Sequence, residues 1–215
     1  MFSKKATNPY DFLNQTPNPQ TIRNRVSVIR NHFTTNERLH RKERQLLLDN
    51  IQQAPNDGIR EVYELELHFH EHFFERVHRV STLLILYSLL ENLMAKICKK
   101  KAEVSGMNFE PKRYSIFEFR SYLEKSPDIR FSAPEIEKHW AIITKLNNLR
   151  NAFAHSEGDL EQYGHFAPDK IKKLVRIVND TPGLSLYSKT IMVSSEYVEH
   201  NITAVEDLLL AVQKD

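Results

Sequence analysis

Cysteine is nearly absent from this chain of 215 residues, since Cys98 is the only one. One thiol can form neither an internal disulfide nor a zinc site that needs several thiolates. This excludes a disulfide-rich secreted scaffold and favours a reducing compartment. The first 20 residues lack an apolar signal segment, and the longest apolar run, residues 83–87, is far shorter than a membrane span. We therefore expect a cytoplasmic protein that makes no contact with a membrane.

Glycine is also scarce, with 5 residues against 9 prolines, which leaves little material for the tight turns of sandwiches and barrels. A large charge of one sign is missing too, because 30 basic and 28 acidic residues give a net charge of +2. Any nucleic-acid site must therefore be local. A 40% apolar and 27% charged composition is typical of one soluble globular domain.

The first half of the chain is divided by proline and glycine. Residues 1–19 are polar and contain proline, and they are predicted to form a flexible N-terminal arm before a single helical domain at residues 20–215. Helical spacing of apolar residues predicts a helix over 20–53, with Thr34 and Thr35 as a candidate break. Neither proline nor glycine follows Gly58 until after residue 101, so this segment predicts a long central helix.

Capping signals divide the second half. Ser115 with Glu118 predicts a short helix to about residue 125, and Ser132 with Glu135 predicts a helix over 133–155. Further segments predict a helix over 168–179, a small hairpin within 183–193, and a last helix from Ser195 to about residue 213. The sum is an all-α, up-down bundle of four main helices, with a short extra helix and a hairpin insertion before the last helix.

Residues 145–155, KLNNLRNAFAH, carry the strongest chemical signal. At about 100° per residue, Arg150, Asn147, Asn151 and His155 share one helix face beside the apolar stripe. An imidazole can move a proton near pH 7, a guanidinium can hold two phosphate oxygens, and an amide can orient them. RNA supplies its own nucleophile, the 2′-hydroxyl. One histidine covers only one proton transfer, so a two-fold homodimer is the simplest source of a second.

An arginine, a polar residue and then a histidine near the end of a helix in an all-α bundle resemble the HEPN superfamily of metal-independent ribonucleases. The residues that carry the resemblance are Arg150, Asn151 and His155. It implies a four-helix bundle of HEPN type, RNA cleavage in a composite site at a homodimer interface, no cofactor, and a toxin–antitoxin or antiviral role with an antitoxin or other regulatory partner. Many toxin members have a tyrosine two residues after the histidine, where this chain has Glu157.

Other polar residues have supporting or structural interpretations. Glu91 and Ser88 lie on the apolar central helix and, with Asn147, are candidates for a supporting shell around Arg150; the alternative is a structural hydrogen-bond cluster. Lys99, Lys100 and Lys101 are candidate RNA contacts, or simply a solvated helix end.

A histidine-rich segment offers a different chemistry. His68, Glu71 and His72 match the H-x-x-E-H order of some zinc peptidases and share a predicted face with Glu75. The opposite face is apolar, which is typical of an amphipathic helix with a solvated side, and we predict no metal site. The leading alternative to the ribonuclease is a catalytically inactive HEPN-like scaffold that binds a nucleotide or a protein, and a metal-dependent hydrolase that uses His68 and His72 comes after it.

Overall fold

A computed structural model describes residues 15–106, 108–126 and 129–213. The helices are α1 Pro19–Gln53, α2 Asp57–Phe69, α3 Glu75–Ser105, α4 Ile116–Leu123, α5 Pro134–Ser156, α6 Leu160–Phe166, α7 Pro168–Asn179 and α8 Ser195–Val212, with a π-helical turn at His70–Phe74; the strands are β1 Leu184–Tyr187 and β2 Thr190–Val193. The all-α class is therefore confirmed. Most of the predicted arm, residues 1–14, lies outside the described residues.

α1 is one helix of 35 residues, so the candidate break at Thr34 and Thr35 does not occur. The Thr34 hydroxyl donates to the carbonyl of Arg30 at 2.8 Å, which satisfies the side chain without opening the helix. At the start of α1, the side-chain oxygen of Asn18 accepts a hydrogen bond from the Thr21 amide at 2.9 Å.

The predicted central helix runs from Asp57 to Ser105 over 49 residues, through α2, the π-helical turn and α3. A π-helical turn takes up one extra residue, which changes the rotation of everything that follows. A row of half-exposed apolar side chains, spaced three or four residues apart, follows one side of this helix. The extra residue of the π-helical turn keeps the row on the same side. This row, called the α2 stripe below, consists of Val62, Leu65, Phe69, Phe73 and Val77.

The core lies between α1, α3, α5 and α8, because α3 and α8 each pack against all three of the others. α3 runs antiparallel to α1: Arg25 of α1 contacts Asn92, whereas Glu37, further along α1, contacts Arg79. The completely buried side chains include Ile22, Leu83, Leu86, Leu90, Leu93, Ile143, Leu146, Leu149, Val205, Leu208 and Leu209. One window of the Asp57–Ser105 helix is long and apolar enough for a membrane span, but more than half of it is buried in this core.

Two capping predictions have different outcomes. The Ser115 hydroxyl accepts a hydrogen bond from the Glu118 amide at 3.4 Å, so that prediction is confirmed. The prediction that Ser132 caps α5 is wrong, because Ala133 is the N-cap residue and makes no side-chain cap bond. Pro134 strongly favours the first helical position, and this fixes the cap at the residue before it.

The region between α5 and α8 contains one helix that was not predicted. α6 is capped by Asp159, whose carboxylate accepts hydrogen bonds from the amides of Glu161 and Gln162. Gly164 within α6 lowers the helix propensity of this segment, which is why the sequence did not predict the helix. The predictions for α7 and for the antiparallel hairpin β1–β2 are confirmed, and Ser194 caps α8.

A buried cluster of charged and polar side chains lies where α1 crosses the π-helical turn. Arg79 Nε is 2.8 Å from Glu37 Oε1, and Arg79 Nη2 is 2.7 Å from Glu75 Oε2. Both carboxylates are buried. The rings of His40 and His70 approach to 3.2 Å between Nδ1 and Nε2. These contacts join α1 to the π-helical turn and to α3 through buried polar groups.

Candidate active site

α5 ends one residue after His155, and the backbone that follows is tightly constrained. Glu157 and Gly158 have left-handed φ angles of 52° and 80°. The Gly158 amide donates to the carbonyl of Ala152 at 3.1 Å, which closes the helix as a Schellman motif does. A Cβ atom on Gly158 would lie 2.8 Å from Arg76 Nη2, so glycine is the residue that fits this position.

Arg76, in the first turn of α3, holds this helix end from the other side. Its Nε donates to the carbonyl of Ile191 at 3.0 Å, and its Nη2 donates to the carbonyl of Glu157. The Ile191 amide donates in turn to the carbonyl of Gly158 at 3.0 Å. The hairpin is therefore more than an insertion, because β2 and Arg76 together fix the backbone directly after His155.

Arg150 is half-buried where α5 meets α3. The guanidinium carbon lies 5.4 Å from the centre of the Tyr87 ring, and Nη1 donates to Asn151 Oδ1 at 3.0 Å. A guanidinium that lies over an aromatic ring and makes one hydrogen bond among the described residues keeps further N–H donors for a ligand. The side chain is thus a positioned cation that can hold phosphate oxygens.

Tyr87 is a site residue to which the sequence assigned no role. Its hydroxyl donates to Asn147 Oδ1 at 2.6 Å, while its ring supports Arg150. Burial, together with the charge of Glu91, raises the pKa of Tyr87, so the phenol stays neutral and continues to donate. The available signal was its place at the end of the apolar run, where a hydroxyl needs a partner.

The structure separates the two other candidate supporting residues. Glu91 is half-buried, and burial raises its pKa although the charge of nearby Arg150 lowers it. Ser88 is exposed and instead lines a groove between α1 and α3, together with Arg25 and Asn92. Glu91 therefore belongs to the surroundings of Arg150, whereas Ser88 faces the groove between α1 and α3.

His155 is exposed in the last turn of α5, next to the exposed Ala154. In the described part of the chain, neither a hydrogen bond nor an ion pair joins His155 to Arg150. One protomer therefore presents Arg150, supported by Tyr87 and Asn151, and separately an accessible imidazole.

The three consecutive lysines lie in the last turns of α3. At 1.5 Å per residue, Lys99 is about 12 Å along the helix axis from Glu91. Because successive helical residues are about 100° apart, Lys99, Lys100 and Lys101 point in three directions. Lys99 is exposed and lies seven residues after Asn92, on the same side of the helix.

Comparison of the chain with family models, curated proteins and solved structures gave no match.

The histidine-rich segment does not assemble the arrangement that the zinc-peptidase order requires. The rings of His68 and His72 stack with centres 4.3 Å apart, and the Tyr187 ring at the hairpin tip lies 4.2 Å from His72. Glu71 turns towards α1 and pairs with Arg44 at 2.6 Å. Among residues 15–106, 108–126 and 129–213, no group of three or more histidine, cysteine or acidic side chains is placed to hold a metal.

Proposed function

We propose that this chain is a homodimeric, metal-independent endoribonuclease built on a four-helix bundle of HEPN type. Arg150 would stabilise the charge that develops on the phosphate, Asn151 would orient that phosphate, and His155 would act as general acid or base. The observation that carries the proposal is the guanidinium of Arg150, which lies over the Tyr87 ring and is hydrogen-bonded to Asn151, with an exposed histidine at the end of the same helix.

The chemistry requires two proton transfers. The 2′-hydroxyl oxygen attacks the adjacent phosphorus, the bond to the 5′-oxygen breaks, and the products carry a 2′,3′-cyclic phosphate and a 5′-hydroxyl. One imidazole removes the proton from the 2′-hydroxyl, and a protonated imidazole gives a proton to the leaving 5′-oxygen. Arg150 holds the non-bridging oxygens while their negative charge increases.

A second copy would supply the second imidazole. Support for such a contact comes from the α2 stripe, since soluble monomers rarely expose long contiguous apolar surfaces. The stripe ends at Val77, next to Arg76, which itself contacts the backbone after His155. A two-fold axis at this end would cover apolar side chains and bring the two Arg150–His155 segments towards each other.

The decisive test is single-turnover cleavage of a short RNA by wild type and His155→Ala. We expect the variant to be about 100-fold to 10,000-fold slower, as is usual when a positioned acid or base is removed. His165→Ala is the matched control, because His165 is also an exposed histidine near a helix end. A substrate with a 2′-deoxy sugar at the cut position should resist cleavage, and excess chelator should leave the rate unchanged.

Other results would contradict the proposed ribonuclease or favour a different function. Equal cleavage by wild type and His155→Ala, or equal cleavage of the 2′-deoxy substrate, would refute the mechanism. A rate that is lost in chelator and restored by zinc would favour a metal-dependent hydrolase. Wild type that binds nucleotide or protein but never cuts RNA would favour the scaffold. Light scattering should give a dimer mass at micromolar concentration, and a monomer would contradict the composite site.

The biological setting of the proposal is a toxin–antitoxin or antiviral defence system, in which an antitoxin or other regulatory protein restrains the nuclease. Expression of wild type should therefore slow cell growth and fragment RNA, and expression of His155→Ala should do neither. Growth arrest that is equal for both would separate any toxicity from the Arg150–His155 motif.

A further inference from the structure

A groove of about 370 Å³ lies between α1 and α3. Its polar lining consists of Arg25, Ser88 and Asn92, and its walls include Val28 and Ile85. Both wall residues are more than half exposed, which is unusual for aliphatic side chains that flank a polar floor. The volume falls in the range of small-molecule sites, which is about 300 to 1,000 Å³.

The polar floor of the groove presents hydrogen-bond donors. Arg25 Nη1 donates to Asn92 Oδ1 at 3.1 Å, which occupies the amide oxygen and leaves the amide NH₂ group for a ligand. A guanidinium has five N–H groups, and this bond uses one of them. Among the described residues, no carboxylate forms an ion pair with Arg25. The floor therefore suits an anion better than a cation.

Two lysines extend the positive charge along α3. Lys96 and Lys99 follow Asn92 by four and seven residues, which is the spacing of one helix face. Burial lowers the pKa of Lys96, and the charges of Arg25 and Lys99 lower it further. Arg25 and Lys99 are therefore near enough to Lys96 for their charges to act on it, and both add positive charge to this side of α3, although the whole chain has a net charge of only +2.

The groove is close to the proposed cleavage site. On α3, Ser88 lies three residues before Glu91, and Asn92 directly follows Glu91. Because residues three apart on a helix have Cβ atoms about 5–6 Å apart, these groove residues are neighbours of Glu91. Glu91 in turn lies near enough to Arg150 for the two charges to interact. A chain that crosses α3 at this level meets the groove on one side and Arg150 on the other.

We propose that this groove binds one nucleotide of single-stranded RNA beside the cut bond, with the base between Val28 and Ile85 and the phosphate on Arg25, with Lys99 further along α3. The inference rests on the proposed ribonuclease for the identity of the strand. The donors, the cations and the aliphatic walls themselves fit a nucleotide, because its base is flat and weakly polar and its phosphate is an anion.

Binding is tested without cleavage, by fluorescence anisotropy of a short single-stranded 2′-O-methyl RNA with the full chain. Arg25→Gln should weaken binding at least 10-fold and reduce the slope of log K against log salt by about one. Ile85→Glu should weaken binding as well, because it places a carboxylate in the wall. Arg23→Gln is the matched control, since Arg23 is an exposed arginine on the same helix, two residues away.

A thermal melt shows whether each variant folds. If Arg25→Gln is unfolded, Arg25→Lys decides: it should keep the salt slope and bind more weakly than wild type. Unchanged binding in the folded groove variants, or a wild type that does not bind the 2′-O-methyl RNA, overturns the groove even if natural RNA is cut. Binding that depends on Arg25, in a protein that never cuts natural RNA, supports the groove and refutes the nuclease.

Discussion

Gly158→Ala tests whether the backbone after His155 is held as tightly as the contacts of Arg76 indicate. The new Cβ would lie 2.8 Å from Arg76 Nη2 and 2.9 Å from Phe153 Cδ1. Both neighbours must therefore shift: Arg76 would give up its bond to the Glu157 carbonyl, and the buried Phe153 ring would have to move as well. We expect this variant to lose both stability and cleavage activity.

The magnitude has two parts. A left-handed φ costs an alanine about 1–2 kcal/mol. Loss of a hydrogen bond from a charged donor adds about 1.5–3 kcal/mol, so the total is about 2.5–5 kcal/mol. Gly106→Ala is the matched control, because Gly106 has φ +68° and a Cβ there would meet no atom within 4 Å. It should cost only the backbone part, about 1–2 kcal/mol.

The assay is thermal unfolding of both variants with single-turnover cleavage alongside. For a domain of this size, 1 kcal/mol corresponds to about 2–4 °C, so Gly158→Ala should lower Tm by about 5–20 °C and Gly106→Ala by about 2–8 °C. Cleavage should fall in Gly158→Ala, measured at a temperature where it is folded, and not in Gly106→Ala. Equal Tm values for the two variants would refute the clamp by Arg76.

Three further predictions concern the rest of the fold. Burial lowers the pKa values of His40 and His78, so the folded protein binds fewer protons at these histidines than the unfolded chain does. The free energy of unfolding should therefore be highest above about pH 6.5 and should fall as the pH drops below that value, as measured by urea titrations at a series of pH values. Arg79→Met removes the guanidinium that pairs with two buried carboxylates and should cost about 3–5 kcal/mol by chemical denaturation, whereas Arg60→Met at an exposed pair should cost less than about 1 kcal/mol. Burial raises the pKa of Cys98 to about 12, so a thiol reagent should label it only in denaturant, and rapid labelling of the native protein would contradict its buried position.

Local signals predicted those parts of the fold in which neighbouring residues decide the structure. Apolar spacing located α1 and the long central helix, and alternation located the hairpin. Where two local signals competed, proline prevailed over serine, as the start of α5 at Pro134 shows. The π-helical turn was not predicted, because neither proline nor glycine marks it in the sequence; in the structure it lies against α1, where His70 contacts His40.

The candidate site divides in the same way between sequence and tertiary structure. Spacing along one helix was enough to group Arg150 with Asn151, and the structure places the two in contact. Tyr87 could not be assigned, because the register of α3 against α5 decides which ring lies under the guanidinium. The role of Arg76 was equally hidden, since its partners are two carbonyls far apart in the sequence.

Arg150 and His155 are five residues apart on one helix, yet different parts of the fold position them. A ring on α3 supports the guanidinium, whereas Arg76 and β2 fix the backbone that follows the imidazole. A change at one support therefore need not disturb the other, because the contacts share no side chain. If both residues act on one phosphate, the fold must hold two separate supports in register, and the hairpin is the element that ties the end of α5 to α3.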